Sequence, residues 1–167
     1  VPIRTGKGDT GCTCLRSCSG VRKDDPYIIL LGDIDELNAV LSIVCLKSSS
    51  KSITGRIGDI QGTLDKIGSL ISLEPGKRAR NDVAAVKSRS LRLERYLKRA
   101  DNGCTKGFIK RHKSEEAAFL NLARVVARRA ERGTTTLKDY EGGSCEPYIK
   151  YFNILSDCLF VMSAAKA

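Results

Sequence analysis

Ile53-Thr-Gly-Arg-Ile57-Gly-Asp-Ile60-Gln-Gly-Thr-Leu64-Asp-Lys-Ile67-Gly-Ser-Leu-Ile71 is the stretch that decides the fold class. Its apolar positions Ile53, Ile57, Ile60, Leu64, Ile67 and Ile71 recur in alternating steps of four and three, which lays one continuous stripe along an α-helix. Pro75-Gly76 closes the run. A stripe of this length is the seam of a bundle helix and needs other helices against it. The same period recurs on both sides. Upstream, Ile34, Leu37, Leu41 and Val44 predict a helix over 34–47, opened by Asp33 and Glu36 in capping-box spacing and followed by a Ser/Lys break at 48–52. Downstream, a third helix starts near Asn81-Asp82, carries Val83, Val86, Leu93 and Leu97, and stops at Asn102-Gly103. A fourth takes Ser114 as N-cap, sets Glu115 and Glu116 in its first turn, and runs through Phe119, Leu122 and Val126 to Gly133. Pro147 opens a fifth, which continues through Phe152, Leu155, Leu159 and Met162. The first thirty residues, rich in Gly and Thr, read as loops with a short strand at Tyr27–Leu31. The expected architecture is all-α: an up-and-down bundle of five helices behind a Gly/Thr-rich N-terminal loop, forming one domain over 1–167.

Composition agrees with a single packed core. Of 167 residues, 41% are hydrophobic, which argues against disorder. No apolar run approaches the roughly 20 residues that span a bilayer, and no signal peptide is visible, so the expected setting is the cytoplasm. Lys and Arg number 29 against 19 Asp and Glu, a formal charge of +10, which points to an anionic partner. The excess is local: residues 77–132 hold 17 of the basic side chains and only 6 of the acidic ones. Seven cysteines cannot all pair within one chain, and Cys12, Cys14 and Cys18 lack C-x-x-C spacing and a clear fourth ligand, so no metal site is assigned. His112, the single histidine, sits among Lys110, Arg111 and Lys113 and reads as a solvated loop residue.

Two segments carry possible chemistry. In Thr5-Gly-Lys7-Gly8-Asp9-Thr-Gly11-Cys-Thr13 the glycines let backbone N–H groups approach an anion, and Lys7 and the threonines add donors. The G-K-S/T ending of a Walker loop is missing, and a floppy N-terminus is the competing reading. In Arg124-Val-Val-Ala-Arg128-Arg-Ala-Glu131-Arg132, the residues Arg124, Arg128 and Glu131 share one helix face. Guanidiniums one turn apart repel unless an anion or an acid lies between them; a solvated basic face with Glu131 as local partner is the alternative.

Taken together, these motifs resemble a family, the trimeric helical-bundle ATP:cob(I)alamin adenosyltransferases. Thr5, Gly8, Asp9, Gly11 and Thr13 match its T-x-x-G-D-x-G-x-T motif, and Val21, Lys23, Asp24 and Pro26 its V-x-K-D-x-P segment. Gly32, Asp35, Glu36, Leu37 and Asn38 match G-x-x-D-E-L-N. Ala123 to Arg132 match A-R-x-x-x-R-R-A-E-R, and Phe152, Asn153, Leu155, Ser156, Asp157, Leu159 and Phe160 match the terminal signature.

The resemblance implies transfer of the 5′-deoxyadenosyl group of ATP to cob(I)alamin, with triphosphate released, by a homotrimer whose sites lie between subunits. On that basis Thr5, Lys7, Gly8, Asp9, Gly11, Thr13 and Lys23 would wrap the triphosphate and its Mg²⁺. Arg128 would add a phosphate contact, Glu131 would order the arginine cluster, Asn153 would hold the nucleoside end, and Asp35 would pair with Arg124. Asp35 reads equally as a second capping carboxylate. Phe108 matches the aromatic residue that family members place beneath the corrin, or it is a hydrophobic staple before Ser114. Arg111-His112-Lys113 stands within the segment that replaces the family's Pro-Gly-Gly turn with bulky cationic residues. A non-catalytic ATP-binding member and a basic bundle binding nucleic acid are the alternatives; the latter lacks interleaved aromatics for stacking.

Overall fold

The computed structural model describes residues 4, 6, 8–100, 112–141 and 145–166. Among them are five α-helices, α1 (Pro26–Lys47), α2 (Lys51–Ile71), α3 (Arg80–Ala100), α4 (Glu115–Glu141) and α5 (Glu146–Ala164), preceded by a two-stranded hairpin of β1 (Cys12–Cys14) and β2 (Ser19–Arg22). The bundle expected from sequence is the fold found. The helices close a ring in the order α1, α4, α5, α3, α2, so α4 sits between the first and last helices. No helix among the described residues is long and apolar enough to cross a membrane.

The α2 stripe packs as its spacing requires: Ile57, Ile60, Leu64, Ile67 and Ile71 are buried. Ser50 rather than the following residues starts the helix, its hydroxyl accepting from Ile53 N–H. The N-terminal reading is corrected. Tyr27–Leu31 is helix, not strand, because Asp25 caps it by accepting the Tyr27 N–H at 2.9 Å and Pro26 supplies a preset first-turn φ. Asp33 and Glu36 therefore lie inside α1 and cap nothing. The strands instead occupy the Cys12–Cys14 and Ser19–Arg22 segments, paired antiparallel.

The fourth helix also departs from its reading. It passes Gly133 and runs to Glu141, and its buried face is Ala117, Leu120, Ala123, Val126, Ala127, Ala130, Thr134 and Leu137, while Leu122 is 44% exposed. Small side chains let α1 approach closely: a Cβ on Gly133 would stand 3.3 Å from Leu30 Cδ1. Ser114 does cap the helix, accepting from Ala117 N–H at 3.2 Å. The α3 start moves to Arg80. Its proposed stop at 102–103 lies outside the described residues.

Helix α5 fixes where a site can be. Eleven of its nineteen residues are buried, so almost the whole circumference packs against neighbours. What it leaves to solvent is one stripe, Glu146, Lys150, Asn153 and Asp157.

Candidate functional site

The arginine segment lies on the middle of α4 and divides between two sides of the helix. Arg129 faces α1, donating from Nε to Asp33 Oδ1 at 2.8 Å and from its terminal nitrogen to Glu36. The two carboxylates read from sequence as a cap therefore clamp α1 to α4, and they hold the Arg129 guanidinium firmly protonated. The signal available in sequence was the i, i+3 spacing of Asp33 and Glu36 on one face; their partner is 96 positions away.

Arg124, Arg128 and Glu131 lie on the other side, toward α5. Arg124 donates from Nε to Asn121 Oδ1 at 2.9 Å within its own helix. Arg128 is exposed and makes no hydrogen bond or ion pair among the described residues. Across the groove stands the exposed stripe of α5. α4 and α5 run antiparallel, with Ser163 Oγ donating to the Ala117 carbonyl at 3.0 Å; counted back from that bond, Asn153 stands about level with Ala127, next to Arg128 and between Arg124 and Glu131. Burial lifts the Asp157 carboxyl above its usual range, and the Arg128 guanidinium acts against that shift. Sequence reasoning had matched Asp157 to a motif without giving it a role. Ser156 Oγ donates to the Asn153 carbonyl at 2.8 Å, which fixes the backbone beneath the exposed Asn153 side chain.

Asp35 is exposed on α1 and pairs with none of the described residues, Arg124 included. Asn38 of the same segment is structural: its amide donates to Asp65 Oδ1 at 3.1 Å and its carbonyl accepts from Gln61, tying α1 to α2.

The Gly/Thr loop forms a second group. Gly6 and Gly11 have φ of 70° and 81°, a conformation that side chains disfavour. They let the chain coil: Asp9 N–H reaches the Gly6 carbonyl at 3.1 Å, and Lys23 N–H the Gly11 carbonyl at 2.9 Å. The Lys23 ammonium lies over Gly8, 3.3 Å from where a Cβ would be. Gly8, Asp9, Gly11 and Lys23 thus come together, with Thr13 in the adjoining ladder opposite Val21. Asp9 has only a solvated 3.5 Å contact with Arg4. Thr5, Lys7 and Phe108 lie outside the described residues, as do residues 110 and 111.

The two groups are apart within one chain. The hairpin is held at the end of the bundle where α2 finishes, by Arg16 donating to Ser69 Oγ at 3.2 Å and Ser17 Oγ donating to the Ser72 carbonyl at 3.3 Å. The same end holds the C-terminus of α4, where Glu141 pairs with Arg78. Arg128 lies thirteen residues back along α4, roughly 20 Å at the helical rise. Exposed apolar side chains lie elsewhere: Ile29 and Leu46 on α1, Leu91 on α3, and Leu122, Val125 and Tyr140 on α4 are each 44% to 85% exposed.

A family model described as cobalamin adenosyltransferase matches residues 3–166. The chain is 33% identical to a corrinoid adenosyltransferase of Mycobacterium tuberculosis, over 96% of this chain and 86% of that one. It is 30% identical to the corrinoid adenosyltransferase PduO of Citrobacter freundii, over 98% of this chain and 49% of that protein. Among solved structures, a variant PduO-type ATP:corrinoid adenosyltransferase from Lactobacillus reuteri complexed with ATP is similar with a TM-score of 0.84 at 23% identity, covering 96% of this chain and 91% of that one. Another variant of that enzyme, complexed with cobalamin and ATP, gives 0.82 at 22%, covering 97% and 89%. At these identities the solved structures speak to the fold.

Proposed function

The chain belongs to the cobalamin adenosyltransferase family, and from that premise we propose how its residues divide the work of moving the 5′-deoxyadenosyl group from ATP to cobalt. Cob(I)alamin attacks C5′ of ATP; a cobalt–carbon bond forms, the C5′–oxygen bond breaks, and triphosphate leaves with the electron pair. The nucleophile is the corrinoid itself, so the protein has no proton to remove. It must bind two substrates in line and neutralise the departing charge.

The observation that carries the site assignment is Arg128: an exposed guanidinium without a carboxylate bond, facing the one exposed stripe of an otherwise buried helix. Fork-shaped donors of this kind suit phosphate oxygens. Arg128 takes the triphosphate, Asn153 holds the nucleoside end, and Glu131 and Asp157 orient the arginine from its two sides. Glycine backbone, Lys23 and, by family resemblance, Thr5 and Lys7 wrap the phosphates. Asp9 and Thr13 are hard oxygen donors that fit Mg²⁺ travelling with the nucleotide. Phe108 is assigned to the corrin face by resemblance alone.

Because the loop and Arg128 stand roughly 20 Å apart along one bundle, the site is completed by the loop of a neighbouring subunit. A homotrimer built on the apolar α1–α4 face supports this, since Ile29, Leu46, Leu122, Val125 and Tyr140 are costly to leave wet. Asp35, unpaired in one chain, then reaches Arg124 of the next subunit. One domain of 1–167 suffices, and the six described cysteines, all free thiols, suit the reducing cytoplasm.

Subunit mixing tests the shared site. Arg128→Ala and Lys23→Ala each disable one half. When the two variants are unfolded, mixed and refolded together, some interfaces contain both intact halves, so adenosylation is expected to reappear. Activity absent from the mixture, with trimers formed, places both halves in the same subunit and refutes the arrangement.

A further inference from the structure

We propose that the groove between α2 and α3, away from the nucleotide site, binds a small phosphate-class oxyanion. The adenosyl-transfer reading leaves most of the central basic stretch without a task. Helix α3 carries seven basic side chains against two acidic ones, Asp82 and Glu94. Both acids are engaged outside the groove, Asp82 by Lys66 of α2 at 2.6 Å and Glu94 by Lys150 of α5 at 2.9 Å. A recess of about 90 Å³ opens beside them, lined by Arg56, Asp59 and Thr63 of α2, Arg89 and Arg92 of α3, and Tyr151 of α5.

Three guanidiniums thus converge on a space with one carboxylate. Arg92 reaches Asp59 Oδ2 at 3.2 Å, but both side chains are more than half exposed, so the pair is weak. Arg89 has only a 3.5 Å contact to the Asp59 carbonyl. Arg56 has no carboxylate partner among the described residues; its guanidinium is stacked 3.8 Å above the Tyr96 ring, which fixes its plane and points its donors outward from the ring edge. The floor is polar and settled. Thr63 Oγ donates to the Asp59 carbonyl at 2.8 Å beside the buried Tyr151, so its proton is already placed when an anion enters.

Planar guanidiniums held from two helices match the oxygens of a tetrahedral dianion. The recess is several times the roughly 10–15 Å³ that one water needs, which admits a free phosphate or a terminal phosphate group. The site and Asn153 lie on different sides of α5, Tyr151 being two residues earlier.

Isothermal titration of the full chain with inorganic phosphate, at constant ionic strength, tests the proposal. Saturable binding is expected, retained in Arg128→Ala and weakened about ten-fold or more in the Arg56→Gln, Arg89→Gln double variant with helicity unchanged. Arg89→Lys, which keeps the charge but not the fork, is expected to fall between, and serves if the double variant does not fold. No saturable binding, binding lost with Arg128→Ala, or binding untouched by the Arg56 and Arg89 changes overturns the assignment. A single-stranded oligonucleotide that binds more tightly than phosphate and is lost in the same double variant also overturns it, in favour of a nucleic-acid surface.

Discussion

Arg128→Ala is expected to lower the rate of adenosyl transfer by about two to three orders of magnitude while leaving helicity and assembly unchanged. The size follows from what the reaction needs. The negative charge released on triphosphate must be met by donors already in place, and removal of one such donor typically costs 10²–10³ in rate. Fold retention follows from the structure: Arg128 is exposed, bonds no side chain among the described residues and lies outside the core. Arg128→Lys keeps the charge without the fork and is expected to recover part of the loss. Its neighbour gives the control. Arg129→Met removes the clamp to Asp33 and Glu36 and should act on α1–α4 docking more than on phosphate contact. A full-rate Arg128→Ala enzyme removes this residue from the site.

The largest expected loss of stability is at the other end of the bundle. Arg78 and Glu141 form a two-pronged ion pair whose side chains are 3% and 1% exposed. Arg78 Nε also donates to the Leu70 carbonyl at 2.9 Å and to the Leu73 carbonyl at 3.3 Å, satisfying the C-terminal end of α2. Cys145 Sγ donates to Glu141 Oε2 at 3.4 Å, and burial beside that carboxylate pushes the Cys145 thiol up to about 12. Burial, with the Glu141 carboxylate nearby, raises the Tyr27 hydroxyl of α1 above its usual range. One pair thus joins α1, α2, α4 and the start of α5, beside the hairpin that carries Gly8 and Lys23. Glu141→Leu strands a buried guanidinium, and the cost of breaking such a pair from one side is about 3–5 kcal/mol. For a domain of this size that lowers Tm by roughly 10 °C or more. Arg78→Met combined with Glu141→Leu removes both charges and is expected to regain much of the loss. Thermal melts of the three variants check this; a single variant that melts with the wild type shows the pair to be unimportant.

Local periodicity carried much of the fold. The α2 stripe, the Ser114 cap and Pro147 at the start of α5 each state a helix through neighbours three or four residues away, and each stands in the structure. The failures have a common cause. Tyr27–Leu31 is a run of consecutive large apolar residues with no helical alternation of polar positions, so its pattern is that of a buried strand. The Asp25 cap makes it helix, with Leu30 turned into the core and Ile29 left exposed. Asp33 and Glu36 have the spacing of a cap, yet their partner is Arg129, and Arg78 finds Glu141 across 63 positions. No window of sequence contains those pairs. The site divides in the same way. That Arg124, Arg128 and Glu131 share a face follows from helical spacing, whereas Asn153 standing opposite them depends on the α4–α5 register, which only the folded chain supplies.

Arg111-His112-Lys113 follows Phe108 and Ile109 in sequence where the resembled family has Pro-Gly-Gly. Of these, His112 and Lys113 are described, and His112 Nδ1 lies 3.5 Å from the buried Ser163 hydroxyl near the end of α5. The segment just before α4 is thereby tied to the end of α5.

Incubating the protein with ATP, Mg²⁺ and chemically reduced cobalamin, and following the absorbance change of cobalt–carbon bond formation, is the direct measurement. Adenosylcobalamin is expected to accumulate with repeated turnover and with one triphosphate released per cobalt alkylated. Saturable ATP binding with no absorbance change contradicts the account and leaves a nucleotide-binding member of the family that does not catalyse transfer.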